Sequence, residues 1–247
     1  MINIRGANEI DRITKACQIV KDTLEMLEKW VQPGITTLEL DNKAEEFICS
    51  QGAKPGFKGL YGYPATLCVS IDDEVVHGIP KNRELQEGEI LSVDVGSLMD
   101  GFYGDHAKSF SVGNIDEKRQ ELINVTQQCL LNAIEQAIPG NHIGDISHAV
   151  QTKAESHGFG VVRELVGHGI GTELHEQPQI PNFGSPGTGP RIEVGMCFAI
   201  EPMINMGMPE VYTKEDGWTV CTKDGLPSAH FEHSITITEN GAKILTA

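Results

Sequence analysis

The chain has 247 residues, with 19 basic against 35 acidic side chains and a formal net charge of −16. A chain of this length buries a substantial core as one domain, its charge disfavours nonspecific attachment to nucleic acid, and no apolar run reaches the ~18 residues of a membrane span or forms the core of a signal peptide. Six cysteines with no C-x-x-C pair fit reduced thiols in a cytosolic protein, several of them acting as small hydrophobes on apolar faces.

In chain order, Ile10, Ile13, Cys17, Val20, Leu24, Leu27 and Val31 recur at three- and four-residue steps. They predict a first helix that starts near Asn8 and stops at Pro33, with Arg12, Lys15 and Lys21 as an ordinary solvated face. Thr36 with Glu39 has the form of a capping box for a second helix. The glycine-rich stretch 56–62 reads as a loop, where pockets are commonly built. In DHAKSFSV, Asp105 shares a strand face with Ser109 and Ser111, while Phe110 and Val112 point to the other side. A third helix is predicted from about Asp116 to Ile138, with Leu122, Val125, Cys129, Ala133 and Ala137 inward, and a fourth from about Asp145 to His157; 184–189 is another loop. In FEHSITIT, Phe231, His233, Ile235 and Ile237 alternate with Glu232, Ser234, Thr236 and Thr238, which places Glu232 on the polar face of a half-buried strand.

The chain also repeats itself. Pro33-Gly34 and Pro139-Gly140 each precede a helical segment, and Gly52 and Gly158 end those segments 18 positions after Gly34 and Gly140. Gly88 and Gly195 open strands whose sixth following residue is acidic, Asp94 and Glu201, and Asp105 and Glu232 occupy the strands that come next. Offsets near 106 residues predict two related halves about a pseudo-twofold axis. Five metal-grade side chains, Asp94, Asp105, His168, Glu201 and Glu232, thus lie in five separate short runs at strands or strand ends. One aspartate at a strand end is ordinarily a turn former or a hydrogen-bonded core group. Four carboxylates and an imidazole brought together by a fold have the right chemistry for two divalent ions. GHGIG at 167–171 lacks the G-x-G-x-x-G spacing of a phosphate loop. His175-Glu176 is not a zinc helix, because no histidine follows three positions on and Pro178 interrupts the turn.

VDVGSLMDGFYGDHAKSF, VGHGIGTELHEQP, GMCFAIEPM and HFEHSITIT resemble the ordered motifs of the type I methionine aminopeptidase family, and the resemblance runs through nearly the whole chain. It implies an α+β pita-bread fold, shared with creatinase-like proteins, in which a curved antiparallel sheet carries helices on its outside. It also implies residues 1–247 as a single metalloaminopeptidase domain. Prolidase-like relatives carry an additional N-terminal domain, for which a first helix near Asn8 leaves no room. Type II enzymes insert a helical subdomain between the positions of His168 and Glu201, here only 33 residues apart.

Carried over by residue, the resemblance gives Asp94 to one metal and His168 and Glu201 to the other, with Asp105 and Glu232 bridging. The metals would be two divalent ions among Co, Mn, Fe and Zn. A metal-bridged hydroxide is then the expected nucleophile, with Glu201 as proton shuttle, His175 stabilising the oxyanion and His77 near the scissile amide. The expected methionine pocket is Phe57, Leu60, Tyr63 and Cys68, closed by Leu174 and Trp218. Leu60 and Leu174 stand where many bacterial relatives have aromatic residues. The implied activity is removal of the initiator methionine from peptides and nascent chains, preferring a small second residue, by a cytoplasmic monomer that meets nascent chains at the ribosome and has neither DNA nor membrane as partner. The competing readings are a prolidase-like metallopeptidase and a noncatalytic binding module of the same fold.

Overall fold

The computed structural model describes residues 2–247. Helices α1 (Ala7–Glu28) and α2 (Thr37–Ser50) belong to the first half, α3 (Glu117–Gln136) and α4 (Ile143–Ser156) to the second. Helix α1 ends short of the expected Val31, which packs against the core from beyond the helix. Helix α4 starts two residues before the expected Asp145, because Asp145 reaches back to accept from the His142 N–H at 2.7 Å instead of capping the helix itself. Thr36 and Glu39 do form the expected capping box.

Every strand pairing among the described residues is antiparallel. In the first half the long strand Ile90–Met99 pairs with Phe102–Ser111, and also with Leu67–Ile71 and Lys54–Pro55. In the second half five strands run in the order Gly241–Ile244, His233–Thr238, Cys197–Ile200, Val166–Gly169, Glu176–Pro181. The two sheets meet where the Glu232 N–H donates to Ala107 O at 2.9 Å and the Ser234 hydroxyl to Asp105 O at 2.8 Å. Helices α1 and α2 cover the first sheet through one apolar layer that includes Leu24, Leu40, Leu91 and Val93, and α3 and α4 cover the second through another that includes Leu122, Ile146, Phe198 and Ile235. This is the pita-bread arrangement, with helices outside and an inner sheet face left for chemistry.

The repeat is visible in individual backbone bonds. Gly34 N donates to Leu85 O, and Gly140 N to Ile192 O; Thr37 N donates to Arg83 O, and Ile143 N to Pro190 O. Isolated bridges join Thr36 to Glu84 and His142 to Arg191. The glycines at these equivalent turns share conformations that L side chains rarely adopt: φ is 93° at Gly34 and 98° at Gly140, and 76° at both Gly52 and Gly158.

One strand departs from the alternation expected of it. The strand His233–Thr238 is not half-buried, since Ser234 and Thr236 are as buried as Ile235 and Ile237, and Glu232 lies just before it. Both hydroxyls are tolerated there because each has a hydrogen-bond partner: Ser234 donates across the junction to Asp105 O, and Thr236 to Met196 O within its own half. No helix of the described residues is long and apolar enough to cross a membrane. The six cysteines are free, and all but Cys49 are buried.

Candidate metal centre and its apolar slot

Asp94 and Asp105 lie on neighbouring strands of the first sheet, two rungs apart, with Asp94 opposite Ala107 and Asp105 opposite Gly96. His168 lies opposite Ala199, two residues before Glu201, which follows the end of strand Cys197–Ile200. Glu232 enters from the junction between the sheets. Donor atoms of Asp105, His168 and Glu232 lie within 4.8 Å of one another. His168 Nε2 is 3.4 Å from Glu201 Oε1 and 3.8 Å from Asp105 Oδ2. Asp94 adjoins Asp105 and lines the same cavity. All five predicted metal-grade residues therefore face one space, two from the first half and three from the second.

The electrostatics of that space are those of a site short of positive charge. Burial, opposed by a hydrogen bond with Asp105, pushes the Asp94 carboxyl up to about 7. Burial and then mutual repulsion push Asp105, Glu201 and Glu232 well above the ordinary carboxylate range. His168 is driven down to about 3 by burial and by neighbouring His175, so its ring is neutral. Its Nδ1–H donates to Gly169 O at 3.0 Å, which leaves the Nε2 lone pair facing the carboxylates. Asp94 Oδ1, Asp105 Oδ1 and Glu232 Oε1 are buried with no hydrogen-bond partner in the chain. Divalent cations would satisfy both deficits.

The carboxylates close one end of a narrow slot of about 80 Å³ whose walls include Phe57, Leu60, Tyr63, Cys68, Leu174 and Trp218, all six of the predicted pocket residues. Tyr63 is anchored by hydrogen bonds between its hydroxyl and the carbonyls of Leu67 and Gly78, both at 2.9 Å. Its ring meets Trp218 edge to face, centroids 5.1 Å apart. Phe57 lies so close to Gly96 that a Cβ there would sit 2.5 Å from its ring. His77 and His175 flank the slot; burial lowers His77 to about 4 and, in the same direction, lowers the more exposed His175. His77 has φ 60°, a strained conformation for a non-glycine residue that is characteristic of functional sites. A depression of about 710 Å³ beside α3 contains none of these residues.

Several neighbours gave no signal in the sequence. Tyr61, 75% exposed with φ 51°, stacks on His175 at the rim; only the flanking Gly59 and Gly62 hinted at an unusual turn. His230 is buried with Nε2 unpaired, 3.7 Å from Glu201 Oε2. Asn182 donates to Glu201 O at 3.0 Å, and His106 donates to Glu232 O from behind the site. Such supporting contacts depend on tertiary approach, which no local pattern encodes.

Residues 11–239 match metallopeptidase family M24. The chain is 51% identical over 246 residues to a methionine aminopeptidase of Clostridium perfringens, covering 100% of this chain and 99% of the relative. The crystal structure of methionine aminopeptidase from Thermotoga maritima superposes with a TM-score of 0.98 at 48% identity, covering 100% and 99% of the two chains. A prolidase from Pyrococcus furiosus superposes with a TM-score of 0.81 at 25% identity, but this chain covers only 65% of it.

Proposed function

The chain belongs to metallopeptidase family M24, and from that membership we infer a metal-dependent aminopeptidase that removes methionine from the N-terminus of peptides and nascent proteins. The observation that carries the reading is the union of two features in one cavity: carboxylates and a neutral imidazole at one end, and a narrow apolar slot with aromatic edges at the other. Asp94, Asp105, His168, Glu201 and Glu232 would hold two divalent ions. Ions held there supply a water of lowered pKa and a Lewis acid for the carbonyl.

The chain's own side chains perform the remaining tasks. Glu201 keeps 15% of its side-chain surface open toward the cavity, and burial gives its carboxyl a raised affinity for a proton. It is the group suited to take a proton at a carboxylate oxygen and return it to the leaving amine. His175, neutral and at the rim, donates an N–H toward the oxygen on which negative charge develops. His77, which lines the same cavity, serves beside the scissile amide. The slot accepts an unbranched side chain, and a thioether gains ~0.3–1.5 kcal/mol against each aromatic edge, here those of Tyr63 and Trp218. Crowding at the rim by Tyr61 and His175 favours a small second residue.

Hydrolysis of Met-Ala-Ser compared with Xaa-Pro dipeptides, after reconstitution with individual metals, tests the substrate class. Turnover of Met-Ala-Ser with little Xaa-Pro cleavage is the expected result. Xaa-Pro cleavage alone would replace this reading with a prolidase-like one.

A further inference from the structure

The turn 171–176 carries Leu174 into the slot and His175 to its rim, and its last side chain is held from outside the turn. Glu176 keeps 6% of its side-chain surface exposed, and its two oxygens lie 2.6 Å from Arg5 Nη2, whose own side chain is 8% exposed. The same carboxylate accepts from Asn3 Nδ2 at 2.7 Å, Thr172 Oγ1 at 3.2 Å and Glu173 N at 3.1 Å. The Arg5 guanidinium lies against the first residue of the turn, where a Cβ on Gly171 would come within 2.3 Å of Nη2. The arm that bears Arg5 is fixed in turn, since Arg5 N donates to Gly195 O at 2.8 Å and Nη1 to Glu9 of α1 at 3.0 Å. Both ends of the turn are thus tied, through one nearly buried carboxylate, to the segment that bears Asn3 and Arg5, neither of which lines the slot.

We propose that Arg5, assisted by Asn3, is a positioning residue for the reaction: through Glu176 the N-terminal arm sets the place of the His175 imidazole. The proposal rests on the reading of His175 as a donor to the substrate. A charge-assisted pair buried at this depth holds geometry better than an exposed one, and a shift of about 1 Å in a catalytic donor costs up to roughly 100-fold in rate.

The test is a double-mutant cycle on the metal-loaded enzyme with Met-Ala-Ser, accompanied by metal content and melting temperature. Arg5→Met should lower kcat by roughly 10- to 100-fold with a smaller change in KM and both ions retained. Arg5→Lys, which keeps the charge and loses the fork, should fall between. In a His175→Ala background, Arg5→Met should add at most about a factor of two, because the group it positions is gone. Full additivity, or a lower melting temperature with kcat unchanged, would overturn the proposal. If Arg5→Met does not fold, Arg5→Lys carries the same cycle, and a wild-type kcat in that variant would overturn it equally. Failure of the underlying reading is distinguishable, because His175→Ala alone would then retain its kcat.

Discussion

At the scale of residues, the site is governed by charge in confinement. The folded chain holds the Asp94 proton up to about 7 against an ordinary 3.8, and those of Asp105, Glu201 and Glu232 well above ordinary values. Over that interval the folded chain binds more protons than the unfolded one, so the metal-free protein loses stability as pH rises. His77, at about 4, and His168 and His230, both at about 3, act in the opposite sense, but only up to the ordinary 6.5. From about pH 6.5 to 8 the carboxylates act alone. The melting temperature of metal-free protein should fall across that range and the fall should shrink with added Mn(II); a rise would contradict the assignment. His175→Ala should retain both ions and lose roughly 10²–10³ in kcat, the scale of one oxyanion donor. A raised KM at unchanged kcat would reduce His175 to a binding contact. The candidate ligands and slot residues were legible because each sits in a short motif that resembles a known family. His230 and Arg5 were not, because what they touch lies far away in the chain.

At the scale of elements, glycine permits the close approaches that build the slot. Helix α1 crosses strand Phe102–Ser111 at Gly104, where a Cβ would lie 2.5 Å from backbone atoms of Ala16 and Cys17, and Ser97 Oγ donates to Ala16 O at 2.9 Å. Gly104→Ala should therefore cost about 1–3 kcal/mol, lowering the melting temperature by roughly 2–12 °C; an unchanged melting temperature would mean that α1 yields easily. Leu60 and Leu174 both line the slot, and each is smaller than an aromatic wall. Methionine should remain preferred over leucine, while norleucine is rejected less strongly than by Leu60→Tyr or Leu174→Phe variants. Differences of this kind correspond to about 10–200-fold in kcat/KM. If neither variant alters the Met/Nle ratio, the leucines do not govern selectivity. Helical periodicity, a capping box and the Pro-Gly and Gly stops located all four helices to within a few residues. Periodicity overran at Val31, where an apolar residue packs on the core without being helical, and alternation misjudged Ser234 and Thr236, which are buried with their hydroxyls hydrogen-bonded to backbone carbonyls.

At the scale of the whole molecule, two related halves each bring an apolar layer, a helix pair and part of the candidate ligand set. Asp94 and Asp105 come from one half and His168, Glu201 and Glu232 from the other, so folding and assembly of the site are the same event. The repeat was readable in the spacing of glycines because those turns require left-handed backbone; the seam between the sheets, made by Glu232 and Ser234, has no local signature. Joint binding of two catalytic ions by the two halves is tested most directly by titrating metal-free enzyme with Mn(II) while following bound ions and Met-Ala-Ser turnover, beside Asp105→Ala. Wild-type activity should appear with binding and reach its plateau at two ions per chain, whereas Asp105→Ala should bind fewer and stay inactive. Turnover by the metal-free enzyme, or two ions and a near-normal rate in Asp105→Ala, would contradict it.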